Sequence, residues 1–106
     1  MNTVKLDFQK QKGLIPVVIQ EAKTGEVCMV GYMNKEAFEK TRSAGEVYFW
    51  SRKRKKLWRK GATSGNKLEV ENICIDCDND ALLITVKLLG SSVCHTGRKS
   101  CFKKFL

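Results

Sequence analysis

Residues 74–89 read CIDCDNDALLITVKLL, a short acidic segment with two cysteines followed by a nearly all-apolar run. The run at 81–89 predicts a buried β-strand, because strands covered on both faces are almost continuously apolar. The residues just before, 68–75, alternate apolar with polar, but the alternation changes phase, which predicts a β-bulge near Asn72. We therefore expect one strand directly before the acidic segment in the sequence and another directly after it.

Residues 14–20 and 27–33 predict two further strands that form a hairpin across the turn at 23–26. Pro16 restricts the first strand to an edge of the sheet or to its own start. Asn34 is a favourable N-cap and Gly45 a favourable stop, so one main helix is expected over roughly 34–44. Another strand is expected over 46–51. The fold class is α+β, mostly β, a small mixed sheet or pseudo-barrel of about five strands.

The 106 residues suit a single domain spanning 1–106, and an apolar share of 42% argues against disorder. The sequence has no run of about 18 apolar residues, so no membrane partner is expected. The N-terminus lacks a signal-peptide core, which makes the cytoplasm the expected compartment. Five cysteines, an odd number, favour metal binding or catalysis over a disulfide framework.

The net charge of +9 is concentrated at residues 52–60, which carry seven cations and leave +2 for the rest. Such a patch suggests one anionic partner, either a nucleic acid or a small phosphorylated substrate. It could also be a solvated strand edge that discourages aggregation. The loop that follows, including Thr63, Ser64, Gly65 and Asn66, offers backbone N–H groups and hydroxyls that can cradle a phosphate.

Three carboxylates alternate with other residues at Asp76, Asp78 and Asp80. In an extended chain they would converge on one side, offering oxygen ligands suited to Mg²⁺ or Mn²⁺, while Cys77 points the other way. An EF-hand is excluded, because the sixth and twelfth positions hold Ala81 and Lys87. The remaining alternative is a solvated acidic turn.

The cysteines resemble a zinc ribbon in number, but six residues lie between the last two, which is too many for a second knuckle. We choose Cys77, Cys94 and Cys101 as thiolate ligands, with a position left open for chemistry. Cys28 and Cys74 lie among apolar residues and are interpreted as buried structural thiols. His95, the only histidine, follows a predicted ligand and is a candidate base or metal ligand.

The residues also resemble a known family, the phosphoribosyl-AMP cyclohydrolases of histidine biosynthesis, in its stand-alone form. The matching motifs occur in the family's order and are VGYMN at 30–34, FWSR at 49–52, LWRKG at 57–61, TSGN at 63–66, DCDNDALL at 76–83 and CHTGRKSCF at 94–102. The resemblance implies hydrolytic opening of the adenine ring of 1-(5-phosphoribosyl)-AMP between N1 and C6.

The resemblance further implies an intertwined homodimer with Zn²⁺ and Mg²⁺ as cofactors. Asp76, Asp78 and Asp80 would bind magnesium, and Cys77 of one subunit would share zinc with Cys94 and Cys101 of the other. We expect His95 to be catalytic, taking a proton from water or from the tetrahedral intermediate. The expected substrate-binding residues are Arg52, Arg54, Lys60, Thr63, Ser64, Gly65, Asn66 and Arg98.

The competing hypothesis is a small basic zinc-containing module that binds nucleic acid. The aspartate cluster counts against it, since carboxylates repel phosphates unless a metal neutralises them, so no nucleic-acid partner is expected. A redox role for the Cys74-x-x-Cys77 pair is weaker, because the pair does not begin a helix that would stabilise a thiolate.

Overall fold

The computed structural model describes residues 6–9, 12–61, 65–90, 93–94, 97–102 and 104–106. Within them lie six strands and one helix, mostly β as predicted. In chain order these are β1 (Ile15–Glu21), β2 (Val27–Met33), α1 (Lys35–Ala44), β3 (Tyr48–Ser51), β4 (Lys56–Arg59), β5 (Leu68–Ile75) and β6 (Leu82–Leu88).

The larger of the two sheets is mixed and has four strands in the order β2-β1-β6-β5. The predicted β1–β2 hairpin is antiparallel, with Ile15 opposite Met33. β1 and β6 are parallel, which places the start of β6, Leu82, opposite Val17. β5 and β6 are antiparallel, and their register shifts between Val70 and Asn72, which confirms the predicted bulge.

Helix α1 begins and ends where its sequence predicts. The side chain of Asn34 accepts a hydrogen bond from the Ala37 amide at 2.8 Å, and Gly45 ends the helix with a left-handed φ of 73°. The buried face includes Ala37, Phe38 and Thr41. The Thr41 hydroxyl also accepts from the Tyr48 amide at 3.0 Å, which ties the helix to β3.

The β3–β4 hairpin packs on the same face of the sheet as the buried side chains of β1 and β6. Phe49 of β3 is 2% exposed and lies so close to Gly31 that a Cβ there would be 2.5 Å from its ring. The close approach explains why β2 carries a glycine at the centre of an otherwise apolar strand. This packing holds the β3–β4 hairpin across the sheet. The turn of the hairpin therefore lies near one end of the sheet, and the open base of the hairpin lies near the other end.

The fold class is confirmed for the described residues, whose strands form a small mixed sheet and a separate two-stranded sheet rather than the alternative pseudo-barrel. Six strands are present where about five were expected, because the basic run contributes β4, in which Leu57 and Trp58 pack partly against the core between charged neighbours. Pro16 is the second residue of β1, which confirms that it lies at the start of its strand, and β1 is an inner strand of the sheet. Among the described helices, none is long and apolar enough to cross a membrane.

Candidate metal and substrate site

The aspartate segment forms the tight turn that joins β5 to β6. The Asp76 amide donates to the Ala81 carbonyl at 3.1 Å, and the Asn79 amide donates to the Asp76 carbonyl at 3.0 Å. Asn79 has a left-handed φ of 62°, a conformation that asparagine tolerates better than most residues. The turn brings one carboxylate oxygen each from Asp76, Asp78 and Asp80 to within 4.8 Å of one another.

The expected alternation of an extended chain is therefore wrong for this segment, although the convergence of the three carboxylates is confirmed. One oxygen of Asp76 accepts hydrogen bonds from the amides of Asp80, at 2.9 Å, and Ala81, at 3.2 Å. These hydrogen bonds hold the pKa of Asp76 below its usual value, the Asp80 amide contributing most. A hard divalent cation fits this cluster, because small movements would bring three oxygens to a common centre.

A segment near the N-terminus supports the turn from outside. The Asp7 amide donates to the carbonyl of Asn79 at 2.6 Å. The neighbouring Phe8 packs against Phe38 of α1, with ring centroids 6.3 Å apart. The left-handed residue of the turn is thus held by a segment anchored on the helix.

Two of the three predicted zinc ligands, Cys94 and Cys101, lie side by side. The amides of Val93 and Cys94 both donate to the Arg98 carbonyl, at 3.0 and 2.9 Å, which folds the chain back on itself. Partial burial, together with a hydrogen bond to the Cys94 side chain, raises the pKa of the Cys101 thiol. Adjacent thiols of this kind can bind a soft cation such as Zn²⁺ once they are deprotonated.

The cysteine segment is attached where β1 ends and β2 begins. The Cys101 amide donates to the Cys28 carbonyl at 2.7 Å, and the Ser100 hydroxyl donates to the Val27 carbonyl at 2.8 Å. Lys99 forms a 2.6 Å ion pair with Glu21, the last residue of β1. That hydrogen-bonded pair lowers the pKa of Glu21 and raises the pKa of Lys99.

The third predicted zinc ligand, Cys77, lies at the other end of the sheet. Cys77 is exposed in the aspartate turn just before β6, whereas the cysteine segment sits beside Glu21, which pairs with Val86 late in β6. Val86 lies four residues after Leu82 along the strand, a distance of roughly 13 Å at about 3.3 Å per residue. Thiolates that share one zinc must lie within about 4 Å of one another. Within one described chain, the three predicted zinc ligands are not brought together.

His95, Thr63 and Ser64 lie outside the described residues. Cys28 is fully buried, as predicted for a structural thiol, and burial raises its pKa. Cys74 is exposed, so its interpretation as a buried thiol is wrong. The change of phase at the bulge places Cys74 beside Leu83, on the opposite face of the sheet from Ile73 and Ile84.

The predicted substrate-binding residues fall into two groups. Arg52 and Arg54 lie in the exposed turn of the β3–β4 hairpin, where the Arg54 amide donates to the Ser51 hydroxyl at 3.1 Å. The guanidinium carbon of Arg52 stands 3.9 Å from the ring centroid of Tyr32. Tyr32 pairs with Pro16 at the start of β1, so this group belongs to the same end of the sheet as the aspartate turn.

The second group, Lys60, Gly65, Asn66 and Arg98, lies at the cysteine end. Burial lowers the pKa of the half-buried Lys60, and the nearby charges of Cys101 and Cys94 act in the opposite direction. Gly65 is exposed with a left-handed φ of 79°, and its amide donates to the Gly61 carbonyl at 2.8 Å. The side chain of Arg98 is exposed. Its carbonyl accepts the hydrogen bonds from the amides of Val93 and Cys94 that fold the chain back.

Some residues that shape the site were not predicted. Glu21 is buried and anchors the cysteine segment, but its position in an alternating strand gave no sign of a distant lysine partner. The contact between Asp7 and Asn79 joins residues far apart in sequence and has no local signal. Lys60 was predicted as a phosphate contact, and its proximity to the cysteines comes only from the fold.

Comparison with known proteins identifies close relatives. Residues 29–103 match the family model described as phosphoribosyl-AMP cyclohydrolase. A protein of that name from Desulfatibacillum aliphaticivorans is 50% identical over 103 residues, covering 97% of this chain and 82% of the relative. Another from Streptococcus gordonii is 55% identical, covering 96% and 89%. The histidine biosynthesis bifunctional protein HisIE of Haemophilus influenzae is 53% identical over 99% of this chain but only 47% of its own length.

Proposed function

Because this chain belongs to the phosphoribosyl-AMP cyclohydrolase family, we propose that it opens the adenine ring of 1-(5-phosphoribosyl)-AMP by hydrolysis at the N1–C6 bond, the third step of histidine biosynthesis. The observation that carries the proposal is the identity of 50–55% to relatives of that name along nearly the whole chain. The clustered carboxylates and the adjacent thiols provide groups that such a reaction can use.

Two metal ions are part of the proposal. Asp76, Asp78 and Asp80 bind Mg²⁺, whose preference for oxygen ligands matches the three carboxylates. Cys94 and Cys101 bind Zn²⁺, which prefers thiolates. When bound, the two ions supply Lewis acidity that activates water near neutral pH and positive charge that neutralises phosphate.

The chain's own residues perform the remaining steps. C6 of the N1-substituted adenine is electrophilic, because the N1 ribosyl group leaves the ring cationic. His95 takes the proton from the attacking water, or from the tetrahedral intermediate, and the N1–C6 bond then breaks. Arg52 and Arg54 hold one 5′-phosphate with charged guanidinium groups. Lys60 and the loop from Thr63 to Asn66 hold the other, through an ammonium group, hydroxyls and backbone amides.

The active form is a homodimer in which Cys77 of one subunit completes the thiolate set of the other. The separation of Cys77 from Cys94 and Cys101 along the sheet supports this arrangement. A two-fold axis makes any such contact reciprocal, so each dimer contains two zinc sites. The aspartate end of one subunit then faces the cysteine end of its partner, and the two phosphate-binding groups meet across the same boundary.

A direct assay tests the activity. The purified protein is incubated with 1-(5-phosphoribosyl)-AMP, and ring opening is followed by the change in ultraviolet absorbance, with and without a chelator. We expect turnover that stops on chelation and returns when zinc and magnesium are restored. Absence of turnover with both metals present, combined with steep salt-dependent binding to DNA or RNA, would instead favour the nucleic-acid module.

A further inference from the structure

Gly90 lies just past the end of β6, at the point where the chain turns toward Cys94. Its φ is not in the left-handed region, so its backbone conformation does not demand glycine. The lack of space around position 90 does demand glycine. A Cβ there would lie 2.8 Å from the Cα of Asn66 and would overlap the Asn66 side-chain oxygen. Real Cβ atoms do not approach backbone atoms this closely, so any side chain here must displace Asn66.

The loop that contains Asn66 is fixed to the same part of the chain at other points. The Leu89 amide donates to the Lys67 carbonyl at 2.9 Å, immediately beside the contact with Gly90. A Cβ on Gly61 would lie 2.5 Å from the Asn66 carbonyl carbon, so Gly61 and Asn66 are also in close contact with each other.

We infer that Gly90 is a positioning residue for substrate binding: its missing side chain lets Asn66 pack directly against the chain that leads from β6 to Cys94. This inference rests on the proposed function, in which the loop from Thr63 to Asn66 holds a substrate phosphate. In this role Gly90 acts through Asn66. It sets the distance between the loop that binds phosphate and the segment that carries the thiolates.

The test is Gly90→Ala in the full-length protein, with steady-state kinetics, zinc content and thermal unfolding measured together. We expect KM for 1-(5-phosphoribosyl)-AMP to rise about tenfold while kcat stays within about twofold of wild type, because a displaced loop loses ground-state contacts to the phosphate. Zinc per subunit should not change. An unchanged KM, or a loss confined to kcat or to zinc, overturns the inference.

Ile19→Val is the control for a general loss of stability. Ile19 is fully buried in β1 and belongs to neither phosphate-binding group. Removing one methyl group from it should lower the unfolding temperature without raising KM. An equal rise of KM in both variants would show a general effect of instability and would overturn the inference.

A second pair of variants decides the matter if Gly90→Ala alone does not fold. Asn66→Gly removes the side chain that a methyl group at position 90 would strike, so the double variant Asn66→Gly, Gly90→Ala has more room. If Gly90 acts through Asn66, KM should rise by clearly less than tenfold from Asn66→Gly to the double variant, because only the contact with the Cα of residue 66 remains. A further tenfold rise overturns the inference. Wild-type protein without any turnover would refute the proposed function instead, so the two failures are distinct.

Discussion

A single imidazole carries the proton transfer in the proposed reaction, since His95 is the only histidine in the chain. We expect His95→Ala to lower kcat by a factor of about 10² to 10⁴, the usual contribution of a positioned general base. Because the proposed zinc ligands are Cys94 and Cys101, zinc per subunit should remain near the wild-type value. Turnover equal to wild type in the variant would refute the assignment, and parallel loss of zinc would make His95 a ligand instead.

The structural environment of some residues could be predicted from their neighbours in the sequence, and that of others could not. Asn34 and Gly45 could be predicted, because caps act on backbone groups a few residues away. The exposure of Cys74 could not, since it follows from the change of phase at the bulge and from Cys74 lying on an edge strand. The position of Lys60 beside Cys94 depends on the tertiary fold, and no spacing in the sequence encodes it.

The β5–β6 turn is the element that brings together the three carboxylates proposed to bind magnesium. We expect Asp78→Asn to raise the Mg²⁺ concentration for half-maximal activity by about tenfold or more, because an amide oxygen carries no charge to offset the cation. Zinc content and the unfolding temperature should change little, since Asp78 is exposed. Glu71→Gln is the control, an exposed carboxylate on β5 outside the cluster. A magnesium titration of Asp78→Asn that matches wild type would argue against this site.

Elements that depend on near neighbours were predicted, and those that depend on distant pairing were not. The bulge in β5 could be predicted because a change of phase in an alternating strand needs an extra residue. The aspartate turn was expected to be extended, although Asp and Asn favour turns, because the period of two suggested a strand. The strand β4 could be anticipated only as a solvated strand edge, since only two apolar residues interrupt its cations.

At the scale of the assembly, the proposed sharing of zinc between two subunits predicts complementation between inactive variants. Cys77→Ala and Cys101→Ala should each be inactive alone. After mixing in equal amounts and exchange of subunits, half of the dimers are mixed, and each mixed dimer contains one intact site, so we expect about one quarter of wild-type activity. Subunit exchange is verified with tagged chains. Absence of recovered activity after proven exchange would place the site within one chain.

The overall arrangement of the molecule was the hardest part to predict. Composition and alternation predicted a mostly β fold with one helix, because burial patterns are local. The parallel pairing of β1 with β6 joins residues more than sixty positions apart, and nothing near Val17 or Leu82 specifies it. The distance between Cys77 and the other two thiols follows from that pairing. The need for a second subunit therefore came from the resemblance to a family and not from the pattern of residues.

The parallel β1–β6 pair also makes β6 a spacer of fixed length between the two ends of the sheet that we propose to bind metal ions. One residue added within β6 would move its buried side chains to the opposite face. Two residues added would preserve the faces but move the aspartate turn about 7 Å further from the cysteine segment. Such a chain could still fold, yet the reciprocal docking of two subunits would no longer bring the ends together. Natural variation in chain length is therefore expected to be confined to the surface loops and excluded from β6.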